Sequence, residues 1–196
     1  LKALLASSSI RVEGEAGDGR ELVKKVRMIR PDIAVVDLSM PLLNGLDATR
    51  QIAQVASNTR VIILSMFGDV EYIAQARRMG AWGYVSKEEA PDRLIEAIET
   101  VAAGDRYFPP ETDEETDNRM DERLTPRERE VLQLIAEGKK NSEIAKVMVR
   151  SLCTVRNHRA RLMRKLGAHS AAELVRTAEE MGLVYISPPK EKNDAS

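Results

Sequence analysis

Cysteine and histidine are almost missing: the 196 residues hold one Cys, at 153, and two His, at 158 and 169. A lone thiol excludes an internal disulfide and a cysteine-rich zinc site, and two histidines close to the C-terminus argue against a metal enzyme. Long apolar runs are lacking too. None approaches the roughly 18 residues of a spanning helix, and no signal-like stretch is present. The expectation is a soluble cytoplasmic protein that does not engage a membrane.

Net charge is also lacking, but only in sum. The formal value is -1, yet residues 1–110 carry 14 basic and 15 acidic side chains, and residues 111–122 carry one basic against seven acidic. Residues 123–181 carry 13 basic against seven acidic, so this part alone suits a polyanion. Such a length accommodates two small domains. Between them the stretch PPETDEETDNRMDE (109–122) has little to bury and repels itself, so it reads as a flexible acidic linker. Residues 188–196 are polar and read as a disordered tail.

The first part alternates short apolar runs with helical periodicity. Strands are expected at 10–16, 33–36, 61–64 and 82–85. Helices are expected at about ten residues before Pro31, at 46–55, at 70–79 and from Pro91 to the stop at Gly104. Strands apolar throughout, separated by helices, indicate an α/β fold with a doubly wound parallel sheet covered on both faces. Leu1-Lys2-Ala3-Leu4-Leu5 reads as the middle of a helix without a cap. A further strand and loop are therefore expected upstream, leaving the domain at 1–108 N-terminally incomplete.

In an open parallel sheet, ligand chemistry belongs at the carboxyl ends of the strands. Asp37, Ser65 and Lys87 each fall at or just beyond such an end. A carboxylate, a hydroxyl and an ammonium on one rim suit a phosphoryl group: Asp37 as nucleophile, Ser65 as donor, Lys87 neutralising charge. The plainer reading is a turn aspartate, a capping serine and a surface lysine.

GEAGDG at 14–19, PDIAVVDLSMPLLNG at 31–45, VIILSMF at 61–67 and GAWGYVSK at 80–87 make residues 1–107 resemble the receiver domain of bacterial two-component response regulators. The resemblance implies that Asp37 accepts phosphate from a histidine kinase. It also implies that Ser65 and Lys87 sense the phosphorylated state and that Tyr84 changes rotamer with it; edge-strand packing is the alternative for Tyr84. Magnesium is implied as well, held by Asp37 and the peptide carbonyl of Ser39 together with an acidic pair that lies outside this chain. The result is a switch, not an enzyme.

Residues 123–187 read as a small all-α domain. Thr125-Pro126-Arg127-Glu128 is a capping box with proline in the first turn. Val131, Leu132, Ile135 and Ala136 then recur at helical spacing until Gly138. Asn141 or Ser142 should cap a helix to Met148, and a basic helix should span 154–166, with Val155, His158, Leu162 and Leu166 inward. LTPREREVLQLIAEGKKNSEIAKVM and TVRNHRARLMRKLGAHS resemble the LuxR-type helix-turn-helix. By that resemblance Arg156, Asn157 and Ala160 face base edges of double-stranded DNA, while Arg159, Arg161, Arg164 and Lys165 meet phosphates or flank the groove. A last helix at 171–181 would support a homodimer on a two-fold site, or would simply pack within the domain. Two residues depart from the family pattern: Val149 stands where glycine is usual, and Arg150 where an apolar residue is.

Together these readings imply a DNA-binding transcriptional regulator controlled by phosphorylation, its acidic linker resting on the basic helix when inactive. The alternative is a phosphorylation-independent regulator with a pseudo-receiver.

Overall fold

The computed structural model describes residues 10–66, 70–109 and 124–184, with backbone alone at 90–92. The linker and tail readings lie almost wholly outside these residues. The chain divides into two compact units, Leu1–Glu130 and Val131–Ser196.

In the first unit, Asp18 caps α1 (Gly19–Ile29) by accepting from the amides of Arg20 and Glu21. Then follow β1 (Ile33–Asp37), α2 (Gly45–Val55), β2 (Arg60–Ser65), α3 (Val70–Arg78), β3 (Gly83–Ser86) and α4 (Ala90–Ala103). All three strands are parallel in the order β1-β2-β3, with Asp37 opposite Leu64 and Ser65 opposite Ser86. Strand alternation sends their side chains to two layers. Ala34, Val36, Val61, Ile63 and Tyr84 join residues of α1, α2 and α3 in one cluster. Ile62, Leu64 and Val85 join Leu94, Ala97, Ile98 and Val101 of α4 in the other. Burying each such aliphatic side chain contributes roughly 1.5–3 kcal/mol, which is why the strands carry so few polar residues.

One expected strand does not form. Residues 10–16 make no ladder and no helix among the described residues. A strand needs a hydrogen-bonding neighbour, and a cavity of about 800 Å³ is lined by residues 10–17 on one side and by Ile33, Ala34, Val35 and Asp37 of β1 on the other.

The first unit also holds a buried ionic cluster that no local pattern announces. Asp47 on α2 is fully buried, with Arg50 Nη2 at 3.0 Å and Arg129 Nε at 3.3 Å. Glu130, also buried, accepts from Arg20 Nη2 and Arg127 Nη1, both at 2.8 Å, and from Gln51.

Among the described residues the helices that follow are α5 (Pro126–Ala136), α6 (Asn141–Met148), α7 (Leu152–Leu166) and α8 (Ala171–Glu180). The capping box at Thr125 and Glu128 forms in both directions: Thr125 N donates to Glu128 Oε2 at 2.9 Å, and Glu128 N to Thr125 Oγ1 at 3.3 Å. Two helix starts differ from expectation. Lys140, not Asn141 or Ser142, precedes α6, because Glu143 reaches back to accept from the Lys140 amide. The basic helix begins at Leu152, two residues early, because Ser151 accepts from Thr154 N and supplies the cap. In the second unit α6 packs on α7 and α7 on α8 around Ile144, Met148, Val155, Leu162, Leu174 and Ala178. Among the described residues no helix is long and apolar enough to cross a membrane.

Candidate phosphoacceptor rim and nucleic-acid interface

Asp37 ends β1 with its carboxylate about one-third exposed. Lys87, just past β3, places its ammonium 2.5 Å from Asp37 Oδ2, and the Ser39 amide donates to Oδ1 at 2.9 Å. Ser65, fully buried, ends β2 one residue beyond Leu64, the partner of Asp37, and its carbonyl accepts from Lys87 N at 2.7 Å. The register therefore brings Asp37, Ser65 and Lys87 to one rim, as the apolar runs before each had indicated.

Backbone closeness maintains this rim. Gly45 N donates to Leu38 O at 2.9 Å, and a Cβ on Gly45 would lie 2.4 Å from Asp37 O. Glycine is required there because the loop returns directly over the strand tip. Ile33, Val35, Asp37, Ser39 and Lys87 line one cavity beside this rim.

Tyr84 is almost wholly buried, in the cluster that includes Ile73 and Ala76 of α3. Its amide donates to Tyr107 O at 2.8 Å, and Tyr107 N donates to Trp82 O at 2.9 Å. Sequence periodicity did not reveal this pairing, because it joins residues more than twenty positions apart. The Tyr107 phenol donates to Glu96 Oε2 at 3.0 Å; burial, then the Glu96 carboxylate, push its pKa up.

The described residues do not make a magnesium site on their own. Among the described residues no group of three His, Cys, Asp or Glu side chains comes together, and both Asp37 oxygens already have partners.

In the second unit, α7 presents Cys153, Arg156, Asn157, Ala160, Arg161 and Arg164 on its exposed side, with Lys165 also exposed. Val155 and Leu162 are buried on the opposite side, and His158 and Leu166 are half-buried, as their spacing indicated. Arg159 lies between the two faces and donates to Asn141 Oδ1 at 3.3 Å, so α6 holds its guanidinium. Val149 ends α6 with φ 52, ψ 53 and 83% exposure, and Arg150 points outward. The turn thus keeps the left-handed geometry that glycine would adopt freely, and no charge enters the core. On α8, Leu174 and Ala178 are buried and Ala172 is exposed.

Comparison with known proteins accords with this geometry. Residues 1–99 match the response regulator receiver domain, and residues 122–178 match the bacterial regulatory proteins of the luxR family. The chain is 38% identical over 192 residues to the transcriptional regulatory protein MctR of Rhizobium johnstonii, covering 94% of this chain and 88% of that one. It is 38% identical over 186 residues to the oxygen regulatory protein NreC of Staphylococcus aureus, covering 87% and 86%. Among solved structures, the Salmonella typhimurium RcsB response regulator superposes with a TM-score of 0.61 at 26% identity, covering 91% of this chain and 89% of that one. An RcsB–DNA complex matches with a TM-score of 0.53 at 27% identity, covering 91% and 90%. With a receiver and a helix-turn-helix output in one polypeptide, the chain belongs to the LuxR-family response regulators, DNA-binding transcription regulators of two-component systems.

Proposed function

We propose that transfer of a phosphoryl group to Asp37 controls DNA binding by α7. The observation that carries this reading is the Lys87 ammonium held on the Asp37 carboxylate at the strand tip. A histidine kinase, or a small phosphodonor, would give up its phosphoryl group to a carboxylate oxygen of Asp37. That forms an acyl phosphate; water later hydrolyses it to inorganic phosphate. The new group adds up to about two negative charges and three acceptors. Lys87 then pairs with phosphoryl oxygens, Ser65 donates to one, and the surroundings of Tyr84 and α3 repack. No step is routed through magnesium, for which the chain's described residues supply too few ligands.

At the output end, Arg156 and Asn157 would read base edges beside Ala160, while Arg159, Arg161, Arg164 and Lys165 would engage phosphates and the groove margin. The domain limits we assign are 1–108 for the receiver, 109–122 for the linker and 123–187 for the output. A homodimer in the cytoplasm, seated on a two-fold DNA site, completes the reading.

The test is incubation with acetyl phosphate, with and without magnesium, followed by intact mass. Gain of one phosphoryl group, lost in Asp37→Asn, supports the mechanism. No gain in the parent protein favours a phosphorylation-independent regulator.

A further inference from the structure

Beyond α4 the chain does not leave the receiver at once. Gly104 ends the helix with φ 107, and residue 107 forms a parallel bridge with Gly83 at the outer edge of β3. Its two backbone bonds reach Tyr84 and Trp82 at 2.8 and 2.9 Å. The next residue, Phe108, packs against the core cluster that contains Tyr84, and the Arg77 guanidinium of α3 sits 4.3 Å from its ring centre. A Cβ on Gly83 would stand 3.2 Å from Tyr107 O, so glycine at this position lets the bridge approach. The arrangement joins the sensing tyrosine, the helix next to it and the start of the segment that leads to the output. Each uses a different kind of contact: a ladder bond, apolar packing and a cation over an aromatic face.

We propose that Tyr107 and Phe108 form a clasp that passes repacking of Tyr84 and α3 to the chain running on to α5, with Arg77 as its positioning residue. The inference deepens the phosphorylation reading and rests on it for its trigger, but the clasp itself stands on the contacts above. A movement of Tyr84 alters the amide that holds Tyr107. A movement of α3 withdraws Arg77 from Phe108. Both loosen the same two residues, so a sub-ångström change at the rim becomes a change between held and released chain. Arg77 acts through Phe108 and does not touch the phosphoryl site.

Phe108→Ala and Arg77→Gln in the full chain provide the test, read in two ways. In hydrogen exchange, the Tyr84 and Tyr107 amides should exchange at least tenfold faster in Phe108→Ala, while the amides of β1 and β2 keep their protection. In binding, acetyl phosphate should load Asp37 in both variants as in the parent, yet the gain in duplex affinity seen in the loaded parent should fall to less than twofold. Arg77→Lys, which keeps the cation, should restore part of that gain; a merely structural arginine would show no such graded recovery. Unchanged exchange at Tyr84, or a full phosphorylation-dependent gain in Phe108→Ala, overturns the clasp. If the parent takes up no phosphoryl group, the Asp37 reading fails instead, and the exchange measurement still decides whether the clasp exists. Loss of protection throughout β1 and β2 would mean general unfolding and would also count against a local clasp.

Discussion

At the scale of single residues, Val149 is the clearest point of conflict between side chain and backbone. An L-residue in the left-handed region costs about 1–2 kcal/mol, and a β-branched one sits at the upper end. Val149 is largely exposed, so little packing offsets the strain. Val149→Gly should therefore raise the urea midpoint of the output domain by the equivalent of about 1 kcal/mol; an unchanged or lower midpoint would show that the turn is not strained. Glu173 is the opposite case, a side chain that supports the backbone before its helix. The His169 amide, then the Ser170 hydroxyl, hold its carboxyl below the ordinary carboxylate value. A lowered folded pKa means the contribution is complete above that ordinary value and disappears as pH falls through the lowered one. Glu173→Gln should accordingly remove the part of the acid sensitivity of α8 that lies in this window, followed by far-ultraviolet dichroism between neutral pH and pH 3.

Among elements, the informative contrast is between order set by neighbours in sequence and order set by distant partners. Five consecutive residues, Ile33-Ala34-Val35-Val36-Asp37, declare a buried strand with a carboxylate at its tip, and the rim follows once the other strands are placed. The capping box at Thr125 is similarly local and was legible. By contrast, the Lys140 start of α6 was hidden, because the capping comes from the Glu143 side chain and not from the residue at the cap. Residues 10–16 read as a strand from their own residue types, whereas a ladder is a property of two segments. The clasp and the Asp47–Arg129 pair, 82 positions apart, leave no periodicity at all. That pair gives a prediction at this scale. Asp47→Ala would remove a buried carboxylate from beside both Arg50 and Arg129 and should cost about 3–5 kcal/mol in thermal or urea unfolding.

For the whole molecule, the partition of charge matters more than its sum. Thirteen basic residues lie in 123–181, behind an acidic stretch with seven carboxylates. Each phosphate contact should contribute about 0.9 to the slope of log affinity against log salt. Arg164→Ala is expected to lower that slope by about one and to weaken all duplexes alike. Arg156→Ala should instead relax preference at one base pair, at a cost of roughly 1–3 kcal/mol on the preferred site. Equal losses on specific and random duplex for Arg156→Ala would show that it does not read bases. Neutralising the carboxylates of 111–122 should raise basal affinity if they compete with DNA for α7.

The outer edge of β1 decides what can lie beside it. Among the described residues this strand pairs only with β2. Asp32 O and Leu38 N are used in that ladder, so alternation turns the amides and carbonyls of Ile33, Val35 and Asp37 toward the cavity. Those groups are placed to pair with one further strand laid along β1, the place in the sheet that the expected upstream strand would take.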